Sequence, residues 1–249
     1  MKKILLFICL SVFFIGCKHK QTLNFSTETY ALKSENNCFP NNCANIHLEV
    51  PKISGNSTIA KNIENDVYAF ITNSLSFDHL INENNYNTII NEFIANYDNV
   101  YKTYPTEATA WEANYKLNQK SISKSAYQMV YDYYLFTGSA HAIKGKKSFI
   151  FDVNDGKQIA IKDLFLNFEG FKKLAKENFT EQTKNTLNKN VRLFEGFGFQ
   201  LPQAIYFENN EWVLHYNAYE IASNALEETI IKIPENKITP LLNPLHFKN

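Results

Sequence analysis

The stretch from Tyr127 to Ile161 limits what this chain can fold into more than any other. Tyr127, Met129, Tyr131, Tyr133 and Leu135 alternate with Gln128, Val130, Asp132, Tyr134 and Phe136. This period of two sends successive side chains to opposite faces of a strand. Phe149, Phe151 and Val153 repeat the pattern against Ser148, Ile150 and Asp152. Asp155-Gly156 then offers the two positive-φ positions of a type I′ turn, and Ile159 and Ile161 resume the apolar face on a return strand. Between the first two strands lies a small-residue loop, Thr137-Gly138-Ser139-Ala140-His141.

A sheet with so apolar a face needs cover, and the chain can supply it: 45% of residues are hydrophobic and 14% aromatic. Ile59, Ile63, Val67, Phe70 and Ile71 mark one helix, over Ile59 to Leu75, with cap residues at Gly55-Asn56-Ser57. Tyr86, Ile89, Ile90, Phe93, Ile94, Tyr97, Val100 and Tyr101 mark a second, stopped by Pro105. Asn167 caps a third, with Phe168, Phe171, Leu174, Ala175 and Phe179 inward. Further strands read at Ala44 to Val50, closed by Pro51, and at Trp111 to Leu117. A hairpin reads at Ile205 to Tyr216 around Asn209-Asn210, and a last strand at Thr229 to Ile233 precedes a short helix through Leu242. Helices and antiparallel strands are segregated, which argues α+β, with two lobes meeting near Trp111.

The N-terminus reads as a targeting device. Lys2 and Lys3 precede an apolar run, Ile4 to Ile15, shorter than the roughly 20 residues of a membrane-spanning helix. Phe14-Ile15-Gly16-Cys17 resembles a lipobox, with Phe14 where leucine is usual, so cleavage before Cys17 and lipidation of that residue are expected. At about 0.8 kcal/mol per buried methylene, several acyl chains anchor a globule without a transmembrane helix. An ordinary secretory signal is the alternative. Residues 1–16 are then signal, 17–43 tether and N-terminal segment, 44–242 the folded domain and 243–249 a tail, with Lys18 to Thr29 polar enough to be the tether itself. Lys18 is not the aspartate that retains many lipoproteins at the inner membrane, so an outer-membrane address is the expectation.

Cys38 and Cys43 remain once Cys9 leaves with the signal and Cys17 takes the lipid. In an oxidising compartment they are expected to form a disulfide; free thiols, or a zinc site with His47, are the other readings. Formal net charge is zero, pI is about 7 and no basic stripe occurs, so a nucleic-acid partner is not expected.

Several short motifs stand in a set order. Ile46-His47-Leu48-Glu49-Val50-Pro51 precedes a helix bearing Ile63 and Asn65, and Trp111 follows the second helix. Tyr133 to His141 is a tyrosine-rich strand running into Gly138-Ser139-Ala140-His141. Phe151-Asp152, Asp155-Gly156-Lys157, Ile161 to Phe165, Leu201-Pro202, Tyr216-Asn217, Tyr219 to Ala222 and Pro240 to Leu242 follow in order. In this order the set resembles a known family, the extracytoplasmic domain shared by the anti-sigma factor RsiV, the N-terminal region of the peptidoglycan deacetylase PdaC, and lipoproteins of unknown function, with Ser139 in place of the second glycine of the family's Gly-Gly-Ala-His motif. The resemblance implies a noncatalytic domain: lysozyme binding in RsiV goes through it, whereas the chemistry of PdaC lies in a separate domain not seen here.

Candidate chemistry is sparse. Ser139 and His141 lie two apart with no G-x-S-x-G and no evident acid, so a turn histidine bonding its own loop is the simpler reading. Asp152, Asn154 and Asp155 fail the EF-hand frame, because Gly156 takes a ligand position. No enzyme, metal or cofactor is therefore expected. Recognition is expected from three loops on one end of the scaffold, 137–145, 191–199 and 217–224. They carry His141, Phe194, Phe197, Phe199, Tyr219 and Glu220, with Glu227 and Glu228 near in sequence. For the phenylalanines and Tyr219 the competing reading is burial, and for Glu220 a local pairing. The leading function is a binding module for a lysozyme-like protein or peptidoglycan; a structural envelope lipoprotein and an unrecognised hydrolase are the alternatives.

Overall fold

In the computed structural model residues 23–35, 43–75, 85–106, 108–186, 193–222 and 227–247 are described. Cys17 and Cys38 lie outside them; Cys43 is disulfide-bonded. The alternation centred on Tyr131 is a strand, one of five: β1 (Asn24–Lys33), β2 (Asn45–Ser54), β3 (Glu112–Ser121), β4 (Ala126–Phe136) and β5 (Ile143–Asp152). They lie side by side in chain order. Neighbours are antiparallel except β2 and β3, because the helices α1 (Ser57–Ser74) and α2 (Tyr86–Thr103) intervene between those two and return the chain in the same direction. Asn56 and Asn85 cap the two helices: each side-chain oxygen accepts from two first-turn N–H groups, Thr58 and Ile59 in one case, Asn87 and Thr88 in the other. The helices bury Ile63, Val67, Ile71, Ile89, Phe93 and Tyr97 against Leu48, Tyr115, Met129, Tyr131, Phe149 and Phe151 of the sheet. Each such side chain contributes about 1.5–3 kcal/mol when fully buried.

A second sheet holds β6 (Ala204–Glu208), β7 (Glu211–Tyr216) and β8 (Thr229–Pro234), antiparallel and in that order. Asn209 and Asn210 have φ of 51° and 62°, the left-handed pair of a two-residue type I′ hairpin. One face of this sheet presents Trp212, Leu214 and Tyr216 to Phe171, Ala175 and Phe179 of α3 (Phe168–Thr183). A short helix α4 (Glu235–Ile238) and a 3-10 turn close the chain, Ile238 entering the same core.

The two sheets meet through side chains. β6 is an edge strand, and its outward backbone groups sit over β4 and β5. Gln128 of β4 accepts from Phe207 N–H (2.6 Å) and donates to Phe207 C=O (3.0 Å). Ser148 of β5 accepts from Ile205 N–H and donates to Ile205 C=O, both at 2.9 Å. One amide and one hydroxyl thus do for β6 what a neighbouring strand would do, and no buried edge group goes unpaired there. This is why Gln128 and Ser148, the polar positions of the alternating pattern, are buried.

Five local expectations change. The polar segment expected as a tether is strand from Asn24 onward. Pro51 does not close β2, which runs on to Ser54: pairing with β3 extends only from Asn45 to Leu48, so at Pro51 the strand has only β1 beside it. Asp155-Gly156 is not a type I′ turn, since only Gly156 has positive φ, at 73°. Gly156 is needed for a second reason, because a Cβ there would stand 2.5 Å from the Ile59 carbonyl oxygen of α1. The return strand shrinks to a single bridge, Phe151 with Gln158, before a 3-10 turn at Ile161–Leu164. Finally, Trp111 packs on Phe93 and Tyr97 within the larger unit; the meeting place is the outer face of β4 and β5.

Candidate functional site

Two of the three expected loops are stitched together. Phe194 N–H donates to Ile221 C=O at 2.6 Å, and Phe197 N–H turns back to Phe194 C=O at 2.9 Å. Tyr216 Oη donates to Gln200 C=O at 2.9 Å. Glu220 sits at the centre: its carboxylate accepts from Gln203 N–H (2.6 Å) and Asn217 N–H (2.8 Å). Asn217 in turn accepts from Lys146 N–H (2.7 Å) and donates to Lys146 C=O (3.0 Å), closing the start of the β5 edge. Gly145 permits that approach, as a Cβ on it would lie 2.5 Å from Asn217 Oδ1. Among the described residues, the hydrogen bonds that join the first loop to the others run through its exit at Lys146. His141 itself is exposed, and its carbonyl accepts from the Ser139 hydroxyl at 2.8 Å.

The expected residues separate by role. Phe194 is only 8% exposed and packs on Phe179, Phe199 and Tyr216, so it belongs to the core and not to a contact surface. Phe199 is half-buried in the same cluster. Glu220 is spent on two backbone donors. Burial raises its pKa, while those donors and the Lys147 ammonium pull the other way. Of the expected aromatic side chains, what remains in water is Phe197, 81% exposed, and Tyr219, 57% exposed, in addition to the exposed His141. Both stand on unusual backbone: Phe194 and Glu195 have φ of 50°, Gly196 and Gly198 of 85° and 80°, and Tyr219 of 67°. Left-handed non-glycine residues cost about 1–3 kcal/mol each and persist where surrounding contacts over-determine them.

Sequence reasoning missed the groups between the sheets. A cleft of about 330 Å³ lies beside the β6–β7 hairpin, lined in part by Asn118, Lys120, Lys146, Tyr206, Phe207 and Glu208. Burial first, then the Glu208, Asp132 and Glu228 carboxylates, push the Tyr206 hydroxyl up to about 12. His215 of β7 is wholly buried, its Nε2 3.5 Å from Glu228. Burial holds its pKa below 6.5, helped by Lys146 and opposed by Glu228 and Asp132. No one-dimensional pattern marks these residues, because they come from five strands and a loop.

The helices on one face of a mostly antiparallel sheet, with a second small sheet and its own helix on the other, define a two-sheet α+β protein. Residues 157–236 match the family described as "Protein of unknown function (DUF3298)". The fold as a whole is similar to the crystal structure of a DUF3298 family protein from Pseudomonas aeruginosa PAO1, at 18% identity and a TM-score of 0.62, over 92% of this chain and 98% of that one. It is also similar to a member of the family from Bacteroides fragilis NCTC 9343, at 15% identity and a TM-score of 0.64, over 90% and 96%. No curated protein matches the sequence. The matched segment contains α3, the small sheet and both stitched loops, while the similarity in fold spans both sheets.

Proposed function

We propose that this protein is a lipid-anchored extracytoplasmic binding module without catalysis of its own. Its partner is a lysozyme-like muramidase or peptidoglycan, taken up at the loops that carry Phe197 and Tyr219. The observation that carries the reading is the pairing of two exposed aromatic side chains with loops held in left-handed backbone by Phe194, Glu220 and Asn217. Aromatic anchors on pre-ordered backbone are the usual source of affinity at a recognition patch, and ordering them in advance lowers the entropy cost of binding. The resemblance to the RsiV and PdaC ectodomains supplies the partner class, and the lipobox-like Cys17 supplies the anchor.

Pull-downs on immobilised lysozyme and on insoluble sacculi test the reading. Phe197→Ala and Tyr219→Ala are each expected to weaken retention about tenfold or more while the thermal transition stays in place. Retention on neither matrix, or retention indifferent to both substitutions, overturns it. Label from radioactive palmitate is expected on the wild type and absent from Cys17→Ala.

A further inference from the structure

From Lys146 onward the edge of the large sheet along β5 is closed at three places and open at one. In an antiparallel pair, alternate residues of an edge strand turn both backbone groups outward. In β5, beyond the solvent-exposed Lys144, these are Lys146, Ser148, Ile150 and Asp152. Lys146 is capped by the Asn217 amide. Ile150 C=O accepts from Ile159 N–H at 2.7 Å. Asp152 N–H donates to Lys157 C=O at 3.0 Å, and Asp152 C=O accepts from Gly156 N–H at 2.8 Å. That leaves Ser148 N–H, Ser148 C=O and Ile150 N–H, which have no partner among the described residues.

These groups lie on a cavity of about 380 Å³. Its apolar part comes from Ile150, Ile159, Leu164 and Ile205, and its polar part includes Lys147 and Lys162. Among the described residues no carboxylate lines it and neither lysine has an ion-pair partner. Lys147 is half-buried with its ammonium 5.3 Å from the centre of the Phe149 ring. Burial lowers its pKa against the pull of the Glu220 carboxylate, which is already held by Gln203 and Asn217.

We propose that this gap in the β5 edge is a docking site for a short extended acidic peptide. The peptide adds a stub of strand to the large sheet: its backbone exchanges hydrogen bonds with Ser148, and a carboxylate lies within reach of Lys147 and Lys162. An exposed edge gives backbone affinity to any extended chain, and the charge of the neighbouring pocket then selects among chains. Two unpaired ammonium groups over an apolar floor favour a peptide alternating apolar and acidic residues.

The test is titration calorimetry of the purified protein with an N-acetylated, C-amidated pentapeptide of alternating valine and glutamate. Saturable binding is expected. A version with its central amide N-methylated loses a backbone donor and should bind about tenfold more weakly, as should a valine–lysine version. Lys162→Met, an exposed substitution, should weaken the glutamate peptide, whereas Phe197→Ala should leave it unchanged, which separates this site from the aromatic loops. In amide spectra Ser148 and Ile150 should shift on addition of the peptide. Equal binding of the lysine peptide, full affinity in Lys162→Met, or no saturable binding of the glutamate peptide overturns the proposal.

Discussion

Phe194 and Phe197 stand three residues apart in one loop and do opposite things. The first is buried among Phe179, Phe199 and Tyr216; the second is almost wholly in water. The same contrast separates the junction of the two sheets from the loop end. At the junction, Gln128 and Ser148 satisfy the β6 edge and are themselves buried. At the loop end, Asn217 and Glu220 satisfy the backbone just as fully, yet Tyr219 between them points outward. Polar side chains fix the backbone in both regions. Of these two regions, only the loop end leaves large aromatic side chains in water, which is why the proposed partner is placed there.

The largest effect expected is on the pair of phenylalanines. Phe194→Ala should lower unfolding free energy by about 3–5 kcal/mol, as for other buried aromatic truncations. Phe197→Ala should stay within about 0.5 kcal/mol, as surface changes do. Urea unfolding of both variants checks this, and equal losses would erase the contrast.

Next comes the junction. Gln128→Leu keeps the approximate volume but leaves Phe207 N–H and C=O without partners, at about 1–3 kcal/mol for each stranded group. Asn217→Leu at the half-buried loop end should cost less, because water can reach Lys146 in its place. A Gln128→Leu variant as stable as the wild type would mean that apolar packing alone seats the small sheet.

The smallest effect is set by pH. In the folded state His215 holds its proton less tightly than the ordinary 6.5, so the unfolded chain binds more protons as pH falls. Its contribution is fully present above 6.5 and is lost as pH drops through and below that value. The melting temperature should therefore decline between about pH 7 and pH 5. In His215→Phe that part of the decline should vanish; an unchanged profile would place the titration elsewhere.

Period and punctuation alone determined a good deal. The alternation over β4 and β5, the apolar faces of α1, α2 and α3, the caps at Asn56 and Asn167 and the Asn209-Asn210 turn all follow from local stereochemistry, which a sequence states directly. The α+β class follows from their order. Tertiary structure decided the rest. Gln128 and Ser148 read as the solvent side of a half-buried strand, and only a second sheet resting on that side makes them interior. Phe194, Phe197 and Phe199 are one residue type in one glycine-bearing loop, and their fates diverge through partners distant in sequence: Phe194 N–H bonds Ile221 C=O and its ring packs on Phe179 and Tyr216. The physical reason is range: a cap or a turn is settled within a few residues, whereas the partner of an edge strand comes from anywhere in the chain. Ile205 and Ser148, 57 positions apart, meet only where the two sheets pack together.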